Sequence, residues 1–146
     1  MMPEDKDLIE MIRINLEKAE EAYEDAILLL KPRESRRGYN GVANRAYYAM
    51  FHAEKALLLM RGILGEKHKH VHTQLSNQFV KEGKLPSDTA RKIDYVQEIR
   101  HVADYSDERS ATREEVEAAL SKTKSFMEQA KELLQAYLPE QERKER

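Results

Sequence analysis

A chain of 146 residues carries enough apolar material for one modest core and not for two, so a single domain over 1–146 is expected, ending in a charged, frayed tail at about 140–146. Its 25 basic and 27 acidic residues nearly cancel to a formal charge of -2, which excludes a global field able to gather nucleic acid or anionic membrane and leaves only local patches. The lack of cysteine excludes disulfides and thiolate chemistry, and a charged start with no apolar run behind it predicts a cytoplasmic protein. Apolar runs such as Ala56 to Met60 are too short to span a bilayer, so no membrane partner is expected. A charged fraction of 36% without cysteine leans toward a thermophilic source.

In chain order, Leu8, Ile12, Leu16, Ala19, Tyr23, Ala26 and Leu30 recur every three or four residues and predict a first helix over 6–30, ended by Pro32. Ser35 is the expected cap of a second helix over 37–64, closed by Gly62 and Gly65. That helix has two apolar stripes, one from Tyr39 through Val42, Ala46, Ala49, Ala53 and Ala56 to Met60, the other of Tyr47, Phe51 and Leu58. A helix so patterned touches neighbours on several sides, and its alanines allow close approach. A third, polar stripe holds Asn44, Tyr48, His52 and Lys55 with Arg45 alongside, facing either water or a groove. Val71, Leu75 and Phe79 predict a shorter helix over 68–81, and Gly83 and Pro86 end it. Ser87 or Asp88 is expected to cap the next helix, which runs to about Tyr105 with Ile93, Val96, Arg100 and Ala103 in register. Thr112-Arg113-Glu114-Glu115 is a capping box, and Val116, Leu120, Thr123, Phe126, Ala130, Leu133 and Tyr137 carry a final helix toward Pro139. With no strand-like alternation, the pattern predicts an all-α, antiparallel up-and-down bundle of four long helices plus one short helix.

Arg100 stands out, because arginine on an otherwise apolar stripe must be paired or line a polar cavity. One reading is a local pair with Asp104, one turn on. The other sets Arg100 against the polar stripe of the second helix as a phosphate holder, which suits its fork of donors. His68, His70 and His72 invite a metal site, but without supporting carboxylates no metal or cofactor is assigned. No nucleophile with a base and no Gly-rich phosphate loop occurs. Arg33, Arg36, Arg37 and Arg45 with Tyr39, Tyr47 and Tyr48 suit either an RNA surface or core tyrosines beside a solvated basic turn.

The run from Ser35 to Leu57, with its Asn44-Arg45-Ala46-Tyr47-Tyr48-Ala49-Met50-Phe51-His52 core, together with Phe79 to Leu85 and Arg100 to Tyr105, resembles the HEPN domain family, in particular its small stand-alone archaeal and bacterial members. The resemblance covers nearly the whole chain. It implies a helical bundle, a homodimer, and a minimal nucleotidyltransferase partner in pairs that look like toxin and antitoxin, the HEPN member being an RNA-cleaving toxin in the active branches. Those branches carry an arginine, a polar residue directly after it, and a histidine four to six positions further on. Arg100 and His101 match the first two. Tyr105, Ser106 and Asp107 occupy the places of the histidine, so that residue is missing. A 2′-hydroxyl proton needs an acceptor that an always protonated arginine cannot be, and Asp104 or His52 are the substitutes the sequence offers.

The expected function is a nucleotide- or RNA-binding protein acting with that nucleotidyltransferase as the toxin-like half of a pair. Arg100 and Asp104 form its reactive centre, and Asn44, Arg45, Tyr48, His52, His101 and Tyr105 bind the ligand. Two alternatives stand beside it: an active metal-independent endoribonuclease using Arg100, and a non-catalytic interaction and dimerisation module.

Overall fold

The computed structural model describes residues 5–31, 39–65 and 67–138. The described residues hold five α-helices and no strand: α1 (Asp5–Leu30), α2 (Asn40–Met60), α3 (His68–Leu75), α4 (Thr89–Tyr105) and α5 (Arg113–Leu133). The all-α expectation holds. The proposed cap Ser35, the arginines 33, 36 and 37, and the tail 140–146 lie outside the described residues.

Helix α2 is the element on which the others pack, since α1, α3, α4 and α5 all contact it. Its two apolar stripes explain this. Val42, Ala46, Ala49, Ala53 and Ala56 are fully buried on one side, and Tyr47, Phe51 and Leu58 are buried on the other. The alanines let backbones approach closely, while Ile12, Phe79, Phe126 and Leu134, all without exposure, fill the space around them. Each such side chain removed from water contributes about 1.5–3 kcal/mol before entropy is counted.

The ends of α2, α3 and α5 and the cap of α4 differ from the sequence expectation, α5 stopping at Leu133 with one 3-10 turn over Gln135–Tyr137 beyond it. Helix α2 stops at Met60 rather than Leu64, because Gly62 takes the left-handed φ of 76°. Its N–H then donates to the Leu59 carbonyl and that of Ile63 to Leu58, a Schellman closure that satisfies the last carbonyls. Helix α3 ends at Leu75 and passes into a π turn over Ser76–Val80, marked by the Lys81 N–H bonding five residues back to Ser76 at 3.0 Å. Asp88 does precede α4, but its side chain makes no capping hydrogen bond and instead lies 3.8 Å from Lys92. The capping box at Thr112 and Glu115 forms as the sequence predicts, with both reciprocal bonds present.

Candidate functional site

Helices α2 and α4 meet through a chain of polar and aromatic side chains. Arg100 Nε lies 2.8 Å from Asp104 Oδ2, one turn along α4. The N–H is not aligned on an acceptor, so this is a charge contact rather than a straight hydrogen bond. Asp104 Oδ2 also accepts from the Asn44 amide at 3.2 Å, which ties α4 to α2. The Asn44 carbonyl oxygen in turn accepts from Arg45 Nε and Nη2 at 3.2 and 2.9 Å.

Three tyrosine rings surround the Arg100 guanidinium, its carbon standing 4.6 Å from the centre of Tyr47, 5.5 Å from Tyr105 and 5.7 Å from Tyr48. Such rings attract a cation and shed water from its faces. Neither terminal nitrogen of Arg100 has a hydrogen-bond partner among the described residues, and the side chain keeps 19% of its exposure. Both readings of Arg100 from the sequence are therefore combined in one arrangement. The arginine pairs with Asp104 and it faces the polar edge of α2.

The remaining sequence-nominated residues divide. Arg45 stacks on Tyr48 at 5.1 Å. Tyr48, Arg45 and His52 line a groove of about 280 Å³ against Lys18, Glu21 and Asp25 of α1. His52 Nδ1 lies 3.0 Å from Asn15 Oδ1, so its contact is with α1 and not with Arg100. His101 is exposed and stands beside Tyr105, ring centres 5.2 Å apart. Tyr105 is 59% exposed. Tyr48 is the wall shared by the groove and the Arg100 cluster.

Behind Tyr47 lies a feature that the sequence reading missed. Glu54 of α2 has no exposure at all, and its Oε1 is 2.7 Å from His72 Nδ1 on α3. The other ring nitrogen of His72 is 3.5 Å from the Tyr47 hydroxyl. A signal was available: Glu54 falls in the seven-residue gap of the Tyr47, Phe51, Leu58 stripe, where a charge must be paired. Burial raises the Glu54 pKa, and the hydrogen bond from His72 only partly offsets it. For His72, burial pushes the pKa down, but the Glu54 bond and charge outweigh it and the net shift is upward. Burial, reinforced by the Glu54 charge and opposed by Arg100, raises Tyr47 to about 12, so its hydroxyl stays protonated. Of the three clustered histidines, His72 is turned to Glu54 while His70 is exposed. Among the described residues no group of three or more His, Cys, Asp or Glu converges as a metal set.

The model of the HEPN domain matches residues 12–133. A Methanocaldococcus jannaschii protein named "Putative toxin MJ0605" is 33% identical over 133 residues, spanning 91% of this chain and 96% of its own. A Thermotoga maritima protein named "UPF0332 protein" is 32% identical over 118 residues, 81% of this chain and 86% of its own.

Proposed function

The chain belongs to the HEPN domain family, and from that membership and the Arg100 cluster we propose that it binds RNA or nucleotide phosphate as the toxin-like half of a pair with a minimal nucleotidyltransferase. The observation that carries this reading is the Arg100 guanidinium, held at one edge by Asp104 and flanked by three tyrosines, with both terminal nitrogens uncommitted among the described residues. A planar fork so placed suits a phosphate oxygen pair, and exposed Tyr105 with half-buried Tyr48 offers faces for a base. Asn44 and Arg45 extend the donors along α2, and His52 and His101 belong to the same binding surface at its margins. The toxin-like role is supported by the name of the Methanocaldococcus relative. Homodimerisation and the partner follow the family resemblance.

The helix registers support an antiparallel up-and-down bundle as the frame of this site. Asn15 pairs with His52 and Gly41 nears Leu29 between α1 and α2, while Lys92 meets Ser125 and Lys122 meets Tyr95 between α4 and α5. No helix among the described residues is long and apolar enough to cross a membrane.

Titration calorimetry with short RNAs and with nucleotides, on wild type and Arg100→Ala, tests the reading. Loss of a charge-assisted phosphate contact should weaken binding about tenfold to a hundredfold and lower the salt dependence by roughly one phosphate. Equal affinity for both proteins, or no binding by either, refutes it.

A further inference from the structure

The groove between α1 and α2 carries charges of both signs, and phosphate binding at Arg100 leaves its acids unexplained. Glu21 and Asp25 stand one turn apart on α1, with Lys18 on the turn before, and all three line the groove. Neither carboxylate takes an ion pair or a hydrogen bond among the described residues. Arg45 lines the same groove from α2, yet it commits Nε and Nη2 to the Asn44 carbonyl oxygen and lies over the Tyr48 ring at 5.1 Å. His52, 3.0 Å from Asn15 of α1, bridges the two helices at one end.

A carboxylate only accepts hydrogen bonds and repels phosphate, so two acids without a cation keep a nucleic-acid backbone out of the groove while accepting the N–H groups of a base. Ala22, 4% exposed, keeps the floor between them low. Tyr48 and the guanidinium of Arg45 give flat faces of the kind on which unpaired bases stack. The volume of about 280 Å³ falls at the small end of ligand pockets, where a single base fits. Tyr48 also stands 5.7 Å from the Arg100 guanidinium carbon, so a base in the groove and a phosphate at Arg100 meet the same ring.

The choice among bases follows from their edges. Guanine alone sets two donors side by side, N1–H and the N2 amino group, matching the two oxygens of one carboxylate. Adenine and cytosine place a ring acceptor beside their amino group, and uracil places its single N–H between two carbonyls, so each turns a repelled acceptor toward the acid. Asp25 is half-buried and Glu21 exposed, so water competes less for Asp25.

We propose that the groove between α1 and α2 is a guanine pocket for single-stranded RNA. Asp25 accepts N1–H and the N2 amino group of one unpaired guanine stacked on the Arg45 and Tyr48 faces, Glu21 repels phosphate, and Arg100 holds the phosphate beside that nucleotide. The pocket presupposes the RNA-binding reading above and adds to it the base that is selected.

The test is titration of the full chain with oligouridines of one length that carry a single central guanine, inosine, adenine or cytosine. Wild type should bind the guanine RNA about tenfold tighter than the adenine and cytosine RNAs, and inosine, which lacks the N2 amino group, should lose most of that advantage. Asp25→Asn, with one acceptor and one donor, should erase the guanine preference while affinity for the adenine RNA holds or improves, whereas loss of packing would weaken all four alike. Equal affinity of wild type for all four RNAs, or a guanine preference unchanged in Asp25→Asn, overturns the pocket and leaves the binding reading standing if Arg100→Ala still weakens binding. No RNA binding at all removes both. If Asp25→Asn fails to fold, equal affinity of wild type for the guanine and inosine RNAs is the overturning result.

Discussion

Removing His72 should damage the protein far more than removing its partner, although the two side chains share one contact. In His72→Ala, the Glu54 carboxylate remains without exposure, and its Oε2 already lacks a hydrogen-bond partner among the described residues. Breaking a buried pair from that side leaves an uncompensated charge and costs about 3–5 kcal/mol. In Glu54→Leu, an apolar side chain of similar volume takes the buried place, and partly exposed His72 can turn to water, so the cost should stay within about 1.5 kcal/mol. For a chain of this length each kcal/mol moves the melting temperature by about 2–4 °C, so the two variants should separate by roughly 10 °C.

The pH dependence has a definite sign. The folded-state pKa of Glu54 is raised above its ordinary 4.5, so the folded protein binds more protons than the unfolded chain as pH rises past that value, and stability falls through the raised pKa. His72→Ala, which keeps the buried Glu54 without its partner, should therefore lose stability from pH 5 to pH 8. In wild type, the contribution of His72, raised above 6.5, is complete below that value and is lost as pH rises through the folded pKa. Urea unfolding at both pH values and fixed protein concentration measures these differences. Equal costs for the two variants, or a His72→Ala stability that rises from pH 5 to pH 8, would refute the reasoning.

Thr112→Ala should cost about 1 kcal/mol in urea unfolding, since Thr112 Oγ1 accepts the Glu115 N–H and anchors the first turn of α5. The Arg109 guanidinium, with the Thr112 backbone N–H, holds Glu115 at a pKa of about 2, so its stabilising share is present above pH 4.5 and is lost as pH falls toward 2. A carboxylate-resolved NMR titration should find that midpoint, and Glu115→Gln should flatten stability across that window. Ala53→Leu, at a position of α2 with no exposure, should cost about 1–3 kcal/mol by overpacking, read as a lower melting temperature with unchanged helical circular dichroism at 20 °C.

The legibility of this chain divides by distance along the sequence. Helix existence and core faces were readable, because the period of three to four residues is imposed by each helix on its own: Val71, Leu75 and Phe79 were placed on one buried face and are there. The capping box was readable because its reciprocal bonds span only three residues. The end of α2 lies four residues before the expected one, since Gly62 and Gly65 both turn left-handed and the helix closes at the first of them. The π turn after Leu75 carried no periodic signal, for a single five-residue closure does not disturb a stripe enough to see.

By itself, the sequence determined an all-helical chain with α2 at its centre, a family, and an arginine that had to find polar company. Those follow from local period, composition and a shared motif. Tertiary structure alone decided what that company is. The spacing of Tyr47 and Glu54 within α2 says nothing of which helix brings them an imidazole, and three nearby histidines were equally eligible until packing turned His72 inward. Nor does local period distinguish His52, which α1 captures through Asn15, from the histidine that stands behind Tyr47. Desolvation is the physical reason. A buried carboxylate such as Glu54 selects its partner from whatever the assembled helices bring within about 3 Å, a choice made between chain segments and not along one.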